Sequence, residues 1–195
     1  MTDRKIKLQE YFTPIIEKID ELLQSGKAVV AVDGGSACGK TTLAALLSEA
    51  YDAAVFHMDD FFLTPAMRTR ERLSEVGGNV DRERFEAEVL IPLSRGKLVN
   101  YRPYDCSSGG FKDTVTVAPK KLVIIEGAYS MHPELSKYYD LSVFLDIDEE
   151  KQRDRIKKRN TPELAKRFFE EWIPLERIYF EKTDIKSRCD LIIKI

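Results

Sequence analysis

The chain has 195 residues, 43% hydrophobic and 33% charged, with a formal net charge of -2. That length can bury one sizeable α/β core. The composition excludes a disordered chain, and the small negative charge excludes a general attraction to nucleic acid or anionic membranes.

Residues 2–25 are predicted to form an amphipathic helix. Leu8, Phe12, Ile15, Ile16, Ile19, Leu22 and Leu23 recur at helical spacing, with charged residues between them. Pro14 predicts a break or a late start, and Ser25-Gly26 a stop. The apolar stripe is expected to pack on a sheet or on a second copy of the chain.

Val29–Val32 is the first buried strand. After it, Gly34 to Thr41 reads GGSACGKT, which fits the phosphate-binding pattern G-x-x-x-x-G-K-[ST]. A triphosphate needs close backbone N–H groups, and Gly34 and Gly39 keep Cβ atoms out of their way. The helix that follows, Thr41–Ala50, turns its positive end toward the anion. Gly34, Gly35, Ser36, Ala37, Cys38, Gly39, Lys40, Thr41 and Thr42 are therefore the expected nucleotide contacts. Lys40 supplies charge at the β/γ position, and Thr41 a hydroxyl for Mg²⁺. Cys38 sits beside a helix start and Lys40, a setting that lowers a thiol pKa. The plainer reading is that the loop needs a small residue there.

Ala54–His57 is a second strand, and Asp59 and Asp60 follow it. The strand–helix–strand order predicts a parallel connection. Residues 64–82 read as an irregular polar loop carrying Arg68, Arg70 and Arg72. Arg84–Leu93 reads as a helix and residues 95–118 as a hairpin or flap around Arg102-Pro103-Tyr104-Asp105. Arg102 could meet an acidic substrate or pair with Asp105, the commoner arrangement. Lys121–Glu126, ending in a carboxylate, and Leu141–Leu145 are strong strand signals. Glu149–Asn160 is a charged helix and residues 163–180 an apolar-faced one interrupted by Pro174. Leu191–Ile193 closes the set as a fifth strand. The expected fold is α/β of the P-loop NTPase type. It is a central, mostly parallel five-stranded sheet flanked by helices, read as one domain over 1–195. Residues 1–26 are an N-terminal helix, 64–118 a substrate-binding insertion and 149–167 a helical lid.

Parallel sheets place ligands at the carboxyl ends of their strands. Asp59, Asp60 and Glu126 fall there. A kinase needs carboxylates for Mg²⁺ and one to orient the attacking hydroxyl and take its proton. Arg153, Arg155, Lys157, Lys158 and Arg159 are a solvated face or a lid whose arginines close over the transferring phosphoryl group.

In order, the phosphate loop, HMDDFF, GNVDRERF, YRPYDCSS, IIEGAYS and RIKKRN resemble the uridine kinase branch of the phosphoribulokinase/uridine kinase family. Nicotinamide riboside kinase, sharing DDFF, is a close second. The resemblance implies Asp59 as base, Asp81 as the holder of ribose hydroxyls and Tyr104 as the aromatic facing the base. It also implies Lys40 and Thr41 on phosphate and Mg²⁺, Glu126 beside the metal, and Arg155 and Arg159 as lid arginines. The flap departs from the family pattern: Tyr104-Asp105 is followed by Cys106-Ser107-Ser108, without the histidine that uridine kinases use at the base.

The function expected is an ATP- and Mg²⁺-dependent kinase acting on a primary hydroxyl of a nucleoside or riboside. The alternatives are a kinase for another small alcohol (nicotinamide riboside, pantothenate or a sugar phosphate) and a regulatory nucleotide-binding module. A GTPase is disfavoured by the absence of N-K-x-D. The expected partner is a small molecule rather than nucleic acid or a membrane, and homo-oligomerisation is left open. Cys38, Cys106 and Cys189 lack CxxC spacing and point to a reducing compartment. The first residues lack a signal-peptide core and no apolar run spans a membrane, so the cytoplasm is the expected location.

Overall fold

The computed structural model describes the backbone of residues 3–195 and the side chains of residues 11–195. Five strands form one sheet: β1 (Ala28–Gly34), β2 (Ala54–His57), β7 (Leu122–Glu126), β8 (Leu141–Asp146) and β9 (Leu191–Lys194). Their order is β2-β7-β1-β8-β9, and every pairing is parallel, so the expected mostly parallel sheet is wholly parallel. The central strand β1 leads into the phosphate loop, which therefore opens at the middle of the sheet's carboxyl edge.

Period-two alternation sends the two sides of each strand into different cores. Val30, Val32, Leu122, Ile124, Leu141, Val143 and Leu145 pack under α1 (Asp3–Gln24) and α2 (Lys40–Tyr51). Ala31, Val123, Ile125 and Phe144 face the opposite layer, where Phe56, Phe61, Phe85 and Tyr179 are also buried. In α1, Phe12, Ile15 and Ile19 are buried in the first of these cores, so the N-terminal stripe packs on this chain's own sheet. The expected contact of Leu8 lies outside the described side chains. Helix α1 runs through Pro14 without the expected break. The proline costs it one backbone hydrogen bond, and the buried stripe offsets that.

After β2 come a 3-10 turn (Met58–Phe61), a second such turn (Pro65–Met67) and the short helix α3 (Arg70–Ser74), so the segment read as an irregular loop carries local structure. An antiparallel bridge joins Phe62 to Val80, and the Asp81 N–H donates to Phe61 O at 2.7 Å. These contacts fold the segment back so that Asp81 returns to the end of β2. The next helix runs through α4 (Arg82–Phe85), a π turn (Glu86–Leu90) and α5 (Ile91–Ser94). The flap is two small antiparallel ladders: β3 (Val99–Tyr101) with β6 (Val115–Val117), and β4 (Tyr104–Asp105) with β5 (Gly110–Phe111).

Past β8 lie α6 (Glu149–Arg159), α7 (Pro162–Arg167), a second π turn (Phe168–Trp172) and α8 (Ile173–Lys182). Both π turns immediately precede an Ile-Pro pair, at Pro92 and Pro174. A proline ring crowds the carbonyl four residues back and cannot bond to it. Widening the turn lets Ile91 N and Ile173 N bond five residues back instead, and the helices continue. Pro174 therefore modulates the helix rather than interrupting it.

Candidate active site

The phosphate loop joins β1 to α2. Gly34 has φ of +143°, and a Cβ there would lie 2.5 Å from Leu145 O of β8. The demand for glycine at 34 thus comes from the neighbouring strand, in addition to any approach by phosphate. Gly39, at φ +109°, is the N-cap of α2 and brings no side-chain cap, so the first N–H groups of α2 are left available to an anion. Lys40 folds across the loop and donates to Gly34 O at 2.8 Å and Gly35 O at 3.0 Å. Cys38 is buried, and burial pushes its thiol up rather than down, which supports the plain reading of a small residue in the loop.

Glu126, at the end of β7, is the meeting point of three elements. Thr41 Oγ1 donates to its Oε1 at 3.0 Å, and His57 Nδ1 lies 2.6 Å from the same oxygen. The parallel register that pairs His57 with Glu126 explains the contact. Hydrogen bonding to Glu126 holds His57 above its ordinary pKa; burial opposes this, and the charges of Glu126, Asp60 and Asp59 add to it. A hydroxyl and a carboxylate side by side form the hard-oxygen donor set that suits Mg²⁺, which keeps several waters and phosphate oxygens as its other ligands. No group of three or more His, Cys, Asp or Glu side chains forms a metal cage among the described residues.

Asp59 is the second residue of the 3-10 turn after β2, just beyond the end of that strand, and is exposed. The surrounding protein limits its solvation and raises its carboxyl pKa; the nearby Lys40 charge partly offsets this, while Glu126 adds to it. Asp60, next to it, takes a hydrogen bond from Tyr101 Oη at 3.3 Å. Asp81 is 5% exposed and has two structural duties: it accepts from Arg84 N at 3.1 Å as the N-cap of α4, and it pairs with Arg84 Nε at 3.3 Å. Tyr104 is buried, edge-on to Phe111 at 5.6 Å.

Arg102 lies over the Phe111 ring at 4.8 Å. Its expected pairing with Asp105 does not form, because Asp105 is taken by Ser107 N at 2.9 Å, Ser107 Oγ at 2.7 Å and Ser108 Oγ at 3.1 Å. Of the cations in the segment 64–82, Arg68 and Arg72 have different partners. Arg72 is bound to Glu83 at 2.7 Å and to the carbonyls of Gly78 and Val80. Arg68 donates through Nε to Leu63 O at 3.2 Å and lies beside Cys106 at the flap tip.

The basic helix α6 sends its arginines to different partners. Arg155 Nη1 reaches the phosphate loop itself, 3.1 Å from Ala37 O. Arg153 lies over Phe169 at 4.4 Å and Arg159 over Phe168 at 5.6 Å, so both rest on aromatic rings of the second π turn.

Four residues that motif reading passed over also bear on the loop. Asp33 is fully buried and accepts from Gly34 N at 2.7 Å, Met131 N at 3.0 Å and Tyr179 Oη at 2.8 Å. Burial pushes its carboxyl up to about 6, against those hydrogen bonds and the Lys40 charge. Glu176 accepts from Ser36 N at 2.9 Å and Ser36 Oγ at 2.5 Å, and Gln152 Nε2 donates to Ser36 O at 2.9 Å. One signal was available in the sequence: Glu176 stands on the same helical stripe as Trp172 and Tyr179, where an acid is out of place.

The profile of the phosphoribulokinase/uridine kinase family matches residues 29–161. The chain belongs to that family. It is therefore a P-loop kinase, a phosphotransferase. The uridine kinase of Mycoplasma genitalium is 29% identical over 182 residues, covering 85% of this chain and 84% of the relative. That of Mycoplasma pneumoniae is 28% identical over 182 residues, with the same coverage of 85% and 84%. A structure described as a possible uridine kinase from Bacillus stearothermophilus matches with a TM-score of 0.64 at 24% identity, covering 92% of this kinase and 99% of that chain. At that identity the likeness speaks for the fold. No described helix is long and apolar enough to cross a membrane.

Proposed function

We propose that the protein uses ATP and Mg²⁺ to phosphorylate a primary hydroxyl of a nucleoside or a related riboside. The observation that carries this reading is Asp59: an exposed carboxylate just past the end of β2, within the electrostatic reach of both Lys40 and Glu126. A protein that only binds nucleotide has no use for a base at that place.

In this reading the uncapped start of α2 and Lys40 hold the triphosphate, with Lys40 turning from its present carbonyl partners to the phosphates. Thr41 and Glu126 hold Mg²⁺, which neutralises charge on the phosphate oxygens when bound. Asp59 orients the acceptor hydroxyl and takes its proton. Arg155, already on the loop, and Arg159, released from Phe168, stabilise the transferring group. Asp81 retains lone pairs beyond those used by Arg84 for sugar hydroxyls, and Tyr104 and Arg102 form the flap side of the acceptor pocket.

Asp59→Asn should leave ATP binding intact and lower turnover by about a hundredfold or more, the scale of a lost positioned base. Near-normal turnover would remove Asp59 from the role. The acceptor is found by a phosphorylation screen over nucleosides, ribosides and small alcohols with ATP consumption as readout. A second reading is an acceptor carrying an anionic group, for which Arg68, hydrogen-bonded to Leu63 O at 3.2 Å and beside Cys106 of the flap, is the candidate cation, so sugar phosphates belong in the same screen.

A further inference from the structure

Ser36 is the most constrained residue of the phosphate loop. Its N–H and its hydroxyl both donate to the Glu176 carboxylate of α8, while its carbonyl accepts from Gln152 of α6. The same two side chains crowd Gly35, where an added Cβ would stand 2.7 Å from Gln152 Nε2 and 3.7 Å from Glu176 Oε2. One peptide of the loop therefore locks the loop, the lid helix α6 and the helix α8 together.

The chemistry of the lock is that of the ligand. Glu176 is 4% exposed, and its two oxygens sit on two loop donors as a pair of phosphate oxygens would. A single N–H cannot serve the carboxylate and a triphosphate at once, and two anions in so dry a place repel strongly. Lys40, meanwhile, is parked on Gly34 O and Gly35 O.

Behind Glu176 there is somewhere to go. An open pocket of about 590 Å³ lies between α8, the end of β8 and the start of α6; Glu176 and Gln152 line it together with the acids Asp146, Glu149, Glu181 and Asp184 and the cations Arg177 and Lys186. The ion pairs Arg177–Glu149, at 2.9 Å, and Lys186–Asp146, at 2.8 Å, tie α8 and the turn after it to the start of α6 and the end of β8. The π turn Phe168–Trp172 lies at the head of α8, where the regular hydrogen bonding of the helix already changes.

We infer that Glu176 is an anionic latch: it occupies the Ser36 donors while the loop is empty, yields them to the nucleotide's phosphates by withdrawing into the pocket, and so signals nucleotide occupancy along α8 to the lid. The inference rests on the reading of Gly34–Thr41 as the triphosphate site. Glu176 is a positioning residue in this scheme; it touches the loop and not the acceptor.

Trp172 is the only tryptophan of the chain and lies one helical turn before Glu176, against Arg167 and Phe168. Its emission thus reports on the head of α8. MgATP is titrated into the full-length protein and into E176Q, with Kd from calorimetry and Trp172 emission followed in parallel. E176Q is expected to bind MgATP at least about tenfold tighter, the scale of a charge-assisted bond no longer spent on a competitor. Its empty-state emission should already resemble that of the nucleotide-bound wild type and change little on titration. An affinity no tighter than wild type overturns the latch, and so does an unchanged Trp172 response. If E176Q does not fold, Glu176→Asp carries the same two expectations, because it is one methylene too short to span both donors. A wild-type protein that binds no MgATP overturns the kinase reading and the latch with it, whereas normal binding with an indifferent E176Q removes the latch alone.

Discussion

Asp33 ionises inside a fully buried site, with its hydrogen bonds supplied by Gly34, Met131 and Tyr179. Its folded pKa of about 6 lies above the ordinary 3.8. Between those values the native protein holds the proton longer than the unfolded chain does, so the contribution of Asp33 to stability is greatest below about pH 4 and is lost as pH rises from about 4 to about 6. Asp33 alone accounts for a loss of about 3 kcal/mol over that window. Asp33→Asn should remove this contribution, and urea midpoints taken from pH 4 to pH 7 check it: the difference between wild type and variant must change through the window and level off above it. The residue thus trades stability for a carboxylate that fixes the first turn of the loop from beneath.

Among the elements, the flap depends on one side chain of α4. The Arg84 guanidinium lies 4.2 Å from the Phe61 ring centre and 5.1 Å from that of Phe111, and donates to Asp60 O at 2.9 Å and Arg102 O at 3.0 Å. It thereby ties the turn after β2, which carries Asp59, to the flap that carries Tyr104. Arg84→Ala should cost about 2–4 kcal/mol, from lost charge-assisted bonds and ring contacts together. It should also raise KM for the acceptor while leaving KM for ATP nearly unchanged, because the phosphate loop is anchored independently through β1, α6 and α8. Denaturant melts and steady-state kinetics read both effects, and a selective rise in KM for ATP would contradict this division of the site.

For the whole molecule, the phosphate loop is joined to the sheet through β1 and to α6 and α8 through Ser36, so a ligand held by the loop is expected to stabilise all three. MgATP at a hundred times its Kd should add about 2.7 kcal/mol of stability. For a chain of this length that is a rise in Tm of about 5–10 °C. Chelating Mg²⁺ should shrink the shift, because Thr41 and Glu126 then contribute nothing to binding. Thermal melts with ATP, MgATP and ATP plus chelator check the order of the three, and an equal shift with and without Mg²⁺ would argue against a metal at those two residues.

Local patterns carry only what neighbours in the chain can encode. Five apolar runs, the Gly34–Thr41 motif and the periodicity of the helices sufficed for a P-loop α/β fold, because strand burial, helix amphipathy and loop glycines are short-range signals. They also single out Lys40, Thr41, Asp59 and Glu126 as candidates, because these sit at strand ends or in the motif itself. Register and packing decided the rest. His57 meets Glu126 only because β2 pairs with β7 in one register, 69 residues apart. Glu176 meets Ser36 across 140 residues, and Tyr179 meets Asp33 across 146. No sequence window spans such distances, and only the folding of α8 against the central strand brings those groups together. The same packing settled which cations are free: Arg72 is committed to Glu83, and Arg155 rests on the loop. The composition of the Gly34–Thr41 loop was thus written locally, while the contact of Glu176 with Ser36 behind it and the ties that Arg84 makes to the flap exist only once the sheet is assembled.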